Sequence, residues 1–317
     1  MSSSFTEAFN KVDNFQNYFQ LARKAEPPFG MVMKFSHQRT RNDINKFVFV
    51  EGASDKWFYS NTNHHMLREK CSYIYRNSFD EDASYYDDYR GKESVIYTYK
   101  IIRESEDLKD ELNRCIFIID RDYDNNISSK NTVLTKQDKD MFVLTYGHSM
   151  ENYFLERCNV NTIFFKLGLT QHIADDFWIM FKQFAEDSST FFALKGAISM
   201  AYNKHIPFNY TKVHNNEDIF TFDFSSNKEL IYNKKYMEEE IQYMRKGINN
   251  SKPLLEYYDT LYKKILENPR FLRGHEVYRL LKTYLVNHHG ILLDYKENKM
   301  LYCSIVSEMN VILDLKD

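Results

Sequence analysis

The sequence predicts an α/β fold in which a mostly parallel sheet is flanked by helices and followed by a predominantly helical C-terminal region. Three observations carry this reading. KFVFVEG (46–52) and CIFIID (115–120) are short, almost wholly apolar runs that end abruptly in charge, as strands buried on both faces do. Strand-like and helix-like patterns alternate between and after them, which is the signature of parallel strands joined by crossovers. Beyond residue 158 long amphipathic stretches take over, such as YMEEEIQYMRKGI and PLLEYYDTLYKKILENP.

In chain order, residues 1–24 have the pattern of a short amphipathic helix. AEPPFGMVMKFSHQRTRND follows as an irregular lead-in with a basic cluster at Arg39 and Arg41. After the first strand, Ser54 or Asp55 is placed to cap a helix beginning at Lys56, since both side chains accept hydrogen bonds from free amides. A second strand is predicted at Cys71–Tyr75, an acidic Tyr-rich loop at 80–90, and mostly helix from Val95 to Leu112. The third strand is Cys115–Asp120, a polar connection covers 123–139, Met141–Tyr146 is the fourth strand, and MENYFLE starts another helix. Segments 159–204 and 233–288 read as helical, separated by a polar insert that carries at most a short strand. The expected organisation is thus a lead-in over 1–39, an α/β domain over 40–158, and a mainly helical domain over 159–317.

Composition excludes several classes. The 45 acidic and 42 basic residues of this 317-residue chain leave a net charge of -3, which rules out an indiscriminate cationic coat for nucleic acid. Cys71, Cys115, Cys158 and Cys303 lack Cys-x-x-Cys spacing, so neither a zinc ribbon nor a disulfide framework is indicated. MSSSFTEAFNKVDNF lacks the apolar core of a signal peptide, and no apolar run approaches membrane-spanning length; the expectation is a soluble cytoplasmic protein. Walker A, HExxH and GxSxG patterns are all absent.

The chemistry-bearing feature is a set of carboxylates placed just beyond apolar strands. Asp120, Asp122 and Asp124 follow the third strand as DRDYD, Glu51 closes the first in FVEGASD, and Glu151 follows the fourth. Each acid alone is as readily a solvated strand-end residue. Together they form an oxygen-rich set of the kind hard divalent ions prefer, and carboxylates so close in sequence repel one another without such compensation. An EF-hand does not fit, because DRDYDNN lacks the glycine at position six and the glutamate at position twelve.

FVFVEGASDKWFY, CIFIIDRDYD and HSMENYFL together resemble a Toprim domain, the magnesium-binding fold of topoisomerases, primases and overcoming-lysogenization-defect nucleases. YGHSMENYFL is similar to a narrower Toprim-like group, the one that includes AriB, the effector of the PARIS anti-phage systems. The resemblance covers residues 46–156 and extends weakly to RFLRGHEVYRLL at 270–281. It implies that Glu51 is the general acid/base or metal-organising glutamate, that Asp120 and Asp122 are ligands to Mg²⁺ (or Mn²⁺) with Asp124 in support, and that Glu151 completes a second metal position. It also implies phosphodiester hydrolysis, an RNA substrate (transfer RNA in particular) favoured over DNA, a homodimer, and control by a separate ABC-type ATPase resembling AriA. A DNA nuclease with the same centre, or a non-catalytic subunit that keeps the fold, are the alternatives.

Other residues are candidates for substrate contact. Lys92 is placed to neutralise a scissile phosphate, ahead of Arg121 and Lys56, with an ordinary surface role as the alternative for each. His148 contacts phosphate or water, or else is a hydrogen-bonded structural histidine. Between residues 233 and 282 eleven basic residues outnumber seven acids, whereas residues 80–140 carry sixteen acids and ten bases. The helical half therefore suits a phosphate backbone better. Lys263, Lys264, Arg270, Arg273 and Arg279 are the candidates there, with Tyr257, Tyr258 and Tyr262 as stacking partners for bases or, alternatively, as core of a helix pair. Val277, Leu280, Leu281 and Leu285 mark GHEVYRLLKTYL as mostly packing.

Overall fold

Phe47, Val48 and Phe49 are completely buried in the first strand, β1 (Lys46–Phe49), which explains why the run shows no polar alternation. β1 lies between two parallel neighbours. It pairs with β2 (Cys71–Ile74) in the register Lys46↔Cys71 to Phe49↔Ile74, and with β3 (Cys115–Ile119) from Phe47↔Cys115 to Phe49↔Phe117. The computed structural model describes residues 29–64, 67, 70–75, 91–123, 127, 133–226, 229–294 and 296–313. The helix expected over 1–24, the acidic loop at 80–90 and Asp124 lie outside them. The chain divides into two compact units, one from segments up to residue 56, 69–119 and 129–141, the other from 57–68, 120–128 and 142–317.

In the first unit, helix α1 (Phe29–Gln38) occupies most of what reads in sequence as an irregular lead-in. Met31, Val32 and Phe35 recur at helical spacing and are buried, and the Phe35 ring meets Phe47 edge-on at 4.9 Å. The basic tail at Arg39 and Arg41 masks this face in the sequence. Helix α2 (Ala53–Asn61), which belongs to the second unit from Trp57 onward, starts before Lys56, so Asp55 falls in its first turn instead of at its cap, where a negative charge still favours the helix dipole. Helix α3 (Lys92–Glu104) packs on α1 and β3, with Tyr99 edge-on to Phe117 at 5.3 Å. A 3-10 turn at Lys109–Arg114 leads into β3.

The polar connection before the fourth strand contains a single helical turn, α4 (Lys136–Lys139), held by buried Asp138. Its carboxylate accepts from Tyr99 Oη (2.7 Å), Thr135 N and Oγ1 (2.8 Å each), and Arg103. Burial acts to raise the Asp138 pKa, but the hydrogen bonds from Arg103, Thr135 and Tyr99 outweigh it and hold the pKa well below the usual carboxylate range.

In the second unit, β4 (Phe142–Leu144) leads to a 3-10 segment at Met150–Leu155 where the sequence suggests an α-helix. The helix proper, α5 (Arg157–Lys166), begins after it; the side chains of Ser149, Glu151 and Asn152 are used in tertiary contacts that hold the tighter turn, as described below. Helix α6 (Gln171–Asn203) is 33 residues long and is the spine of the unit. The one-turn helix α7 (Asn216–Ile219) and the antiparallel pair β5 (Asp223–Phe224) and β6 (Leu230–Ile231) occupy the polar insert. Helices α8 (Lys234–Ile248), α9 (Lys252–Glu267), α10 (Gly274–His289) and α11 (Lys299–Val306) follow. α5, α8 and α9 pack on α6. Gly196 permits this closeness: a methyl there would collide with Leu261 of α9 and lie 3.1 Å from the Tyr123 ring. Phe177, Phe181, Phe184, Phe191 and Phe192 of α6 are buried in the core. Among the described residues no helix is long and apolar enough to cross a membrane.

Asp138→Ala is expected to lower unfolding free energy in urea by about 3 kcal/mol, because it strands the Arg103 charge and the Tyr99 hydroxyl. Because the folded-state pKa is depressed, the stability that Asp138 contributes is present above its unfolded value near 3.8 and is lost as pH falls below it. The wild-type and Asp138→Ala denaturation midpoints should therefore converge on acidification.

Candidate functional site

Parallel pairing brings the carboxyl ends of β1 and β3 to one edge of the sheet in the first unit. Glu51 and Asp120 are the first acids beyond those ends in the sequence. Glu51 is half-buried and lies against Gly91, the residue before α3. Gly91 has a left-handed backbone (φ 55°), and a Cβ there would stand 3.0 Å from Glu51 Oε2. Glycine is thus required twice, for its backbone angle and for the approach of the carboxylate. Lys92, the next residue, opens α3.

In the second unit the residues after β3 turn back on the 145–152 segment. Arg121 N bonds Thr145 Oγ1 at 3.0 Å and Arg121 Nε bonds Thr145 O at 2.8 Å. Asp120 Oδ1 accepts from Met150 N at 3.2 Å. Asp122 adopts a left-handed conformation (φ 53°), rare outside glycine but tolerated by aspartate, and its N–H donates to His148 O at 2.8 Å. Two of the sequence-predicted aspartates are therefore pinned by backbone bonds to the HSMEN turn.

His148 is buried, and burial lowers its pKa to about 4, so it is neutral at pH 7. Its backbone N–H reaches Arg270 O at 3.2 Å, and its ring stands edge-on to Tyr123 with centroids 4.4 Å apart. His148 Nδ1 and Tyr123 Oη are both buried without a hydrogen-bond partner among the described residues. Tyr257 donates its hydroxyl to Tyr123 O, which makes it a clamp on the DRDY backbone. Tyr258 and Tyr262 stack on each other at 5.9 Å along α9.

Glu151 is buried with both oxygens engaged. Oε2 accepts from Ser149 Oγ at 2.7 Å, and Oε1 faces His275 Nδ1 at 3.0 Å. Burial acts to raise its pKa, yet hydrogen bonds from His275 and Ser149 prevail and set it at about 2. The same bond raises the pKa of His275. A metal ion at Glu151 would have to share an oxygen with these donors or displace His275.

The turn that carries Glu151 is fixed to the start of α10. Asn152 Oδ1 accepts from Ser149 N at 2.9 Å and Asn152 Nδ2 donates to Leu272 O at 3.0 Å. Gly274 lies so close that a methyl would collide with Ser149 Oγ and stand 3.2 Å from Glu151 Cβ. The weakest stretch of the sequence resemblance, 270–281, thus docks directly on one of the strongest. Ser149, Asn152, His275 and Glu276 were not legible as site residues. The signal was the motif pair itself, YGHSMENYFL with RFLRGHEVYRLL.

No protein-family model matches the chain, and no curated protein matches it.

The basic candidates divide by partner. Arg273 is 2.9 Å from Glu276, and Arg279 is 3.8 Å from Glu217. Glu276 is buried; its Oε1 also accepts from Asn216 Nδ2 at 3.1 Å, while its Oε2 has no hydrogen-bond partner. Lys263 is exposed on α9. Arg270 sits over the Tyr146 ring, its guanidinium carbon 3.7 Å from the centroid. Among the described residues no group of three or more His, Cys, Asp or Glu is close enough together to hold a metal ion. The half-buried Cys115 donates to Glu111 O at 3.3 Å, and burial pushes its thiol up to about 12, far from a thiolate nucleophile at neutral pH. A cavity of about 460 Å³ lies elsewhere in the second unit, bordered by Asp176, Phe184, Asp187, Glu229, Tyr232 and Lys234, and contains none of the candidate residues.

Two outcomes follow from the turn. Gly274→Ala is expected to lower the melting temperature by several degrees, about the effect of 1–3 kcal/mol of overpacking, as read by differential scanning calorimetry. The Glu151–His275 bond contributes stability in a bounded window. Glu151's share is present above its ordinary value near 4.5 and is lost as pH falls towards 2; that of His275 is present below 6.5 and is lost as pH rises through its elevated folded value. The difference in melting temperature between wild type and His275→Ala should peak between those values and shrink on both sides.

Proposed function

We propose that the protein is a divalent-metal-dependent endonuclease of the Toprim type, in which Glu51, Asp120 and Asp122 organise the metal centre. The observation that carries this reading is the placement of Glu51 and Asp120 just beyond the carboxyl ends of two adjacent parallel strands, the edge at which open α/β sheets bind ligands. The carboxylate oxygens of Asp120 and Asp122 suit Mg²⁺ or Mn²⁺, and Asp122 holds a backbone angle that extended chain would not supply. Bound divalent cations supply an activated water and neutralise charge on the phosphodiester. The protein's own part is to hold the aspartates through Met150 N and His148 O. The residues around neutral His148 and the Glu151–His275 pair keep the turn that carries those backbone groups in place.

The resemblance of VEG, DRD and HSMEN to AriB-like effectors supports a toxic endoribonuclease that cleaves transfer RNA during anti-phage defence, acts as a homodimer, and is controlled by an ABC-type ATPase supplied as a separate chain. Lys92, following the glycine that packs on Glu51, is assigned to the scissile phosphate.

Purified protein, with a co-expressed ATPase partner where activation requires one, is expected to cleave RNA in Mg²⁺ or Mn²⁺ and to stop in EDTA. Glu51→Ala and Asp120→Ala should each reduce the rate by about two orders of magnitude or more, the scale of losing a positioned catalytic group. Undiminished cleavage by Glu51→Ala would refute the mechanism. Sequencing of RNA and DNA ends after expression in cells separates ribonuclease from deoxyribonuclease: new termini confined to DNA would replace the RNA assignment and leave the metal centre intact.

A further inference from the structure

Arg270 is the unusual cation of the second unit. It is half-buried on the 3-10 turn Pro269–Phe271, stacked 3.7 Å from the Tyr146 centroid and 5.0 Å from the Phe271 centroid. Among the described residues its guanidinium has no hydrogen bond or ion pair, and its Nε is buried without a partner. Arg273 and Arg279, by contrast, each face a glutamate. Two further cations lie nearby. Arg121 is bonded through Nε to Thr145 O, one residue before Tyr146, and Lys264, which has no acidic partner among the described residues, stands 5.9 Å from the same Phe271 ring. Burial and the charge of Arg121 both press the Arg270 pKa below its ordinary value, the reverse of what an acid partner does. Arg270 and Lys264, both set over the Phe271 ring, repel each other unless an anion joins them.

We propose that Arg270 and Lys264, arranged around Tyr146 and Phe271 beside Arg121, form a subsite for a phosphate group of a nucleic-acid strand. A guanidinium seated over an aromatic ring without hydrogen-bonding its own N–H groups leaves them to approach phosphate oxygens as a bidentate fork. The rings serve as the rigid support that single-strand binding sites combine with cations. Because Arg121 lies between Asp120 and Asp122 in sequence, the subsite is placed to hold a phosphate near the proposed metal aspartates. The assignment rests on the nuclease reading for its biological substrate, but it concerns binding and is testable without cleavage.

The test is fluorescence anisotropy in EDTA with a labelled single-stranded RNA and the DNA of the same sequence, over a series of salt concentrations, with inorganic phosphate as competitor. Arg270→Met keeps the apolar stem over Tyr146; it is expected to weaken binding about tenfold and to reduce the slope of log K against log salt by about 0.7, the value of one single-strand phosphate contact. Arg270→Lys, which keeps charge but not the planar fork, should retain most of the slope and lose affinity severalfold. Thermal melting of Arg270→Met should be unchanged or raised, since a repelling charge is removed. Wild-type affinity and slope in Arg270→Met, or no oligonucleotide binding by wild type, would overturn the subsite; so would a fall in melting temperature with affinity unchanged. Competition by millimolar inorganic phosphate with weak oligonucleotide binding would redirect the site to a small phosphate ligand. Arg270-dependent binding without cleavage in Mg²⁺ would sink the nuclease reading and leave the subsite standing.

Discussion

The organisation of the second unit depends on one close approach, that of the Ser149–Asn152 turn to the N-terminus of α10. A methyl group on Gly274 would overlap Ser149 Oγ, so the two segments touch only because that side chain is absent. Once in contact, Asn152 satisfies Leu272 O and Ser149 N, and Glu151 meets His275. The 3-10 form of 150–155 follows from these tertiary bonds, since the side chains that would decorate a surface helix are used to hold the docked turn. The consequences extend to the preceding loop: His148 O and Met150 N, both positioned by this joint, are the groups that fix Asp122 and Asp120. A constraint far along the chain thereby sets the geometry of acids next to β3.

Electrostatics separates the acids into distinct roles. Asp138 and Glu151 are buried, and bonds from several donors hold them ionised. Asp120 and Asp122 are more exposed; Asp120 Oδ1 accepts from Met150 N, and the Asp122 N–H donates to His148 O. Glu276 occupies an intermediate position, paired with Arg273 on one oxygen and orphaned on the other, within the unit that also contains the orphaned Tyr123 hydroxyl and His148 Nδ1. Such partly satisfied buried polar groups are costly in a core and are ordinarily retained where a site, not packing, is being built.

The cations show the same division. A local excess of basic residues in sequence does not amount to a cationic surface, because Arg273 and Arg279 pair with acids from near and distant segments. Counting charge over 233–282 therefore overstated the number of side chains open to a phosphate backbone. Arg270 was one candidate among five in that count and became distinctive only through its two aromatic supports and the lack of an acid.

Strands β1 and β3 were legible because burial on both faces writes a continuous apolar run, and the amphipathic helices of the C-terminal half because one apolar stripe repeats at helical spacing. The candidate acids were legible by position for a related reason, since a charge that ends an apolar run must lie at a strand end. α1 was obscured where basic residues crowd its C-terminal end, and the 150–155 turn was misread because local pattern favours a helix there. The sequence by itself determined the layers of the fold and which carboxylates stand at strand ends, since both follow from hydrophobic periodicity along neighbouring residues. Only the tertiary structure decided that Glu151 is matched by His275, that Gly274 admits the turn, and that Arg270 alone among the arginines of its segment is left facing other cations. Those outcomes depend on partners far apart in the sequence, and no periodicity along a chain records which distant side chains will meet.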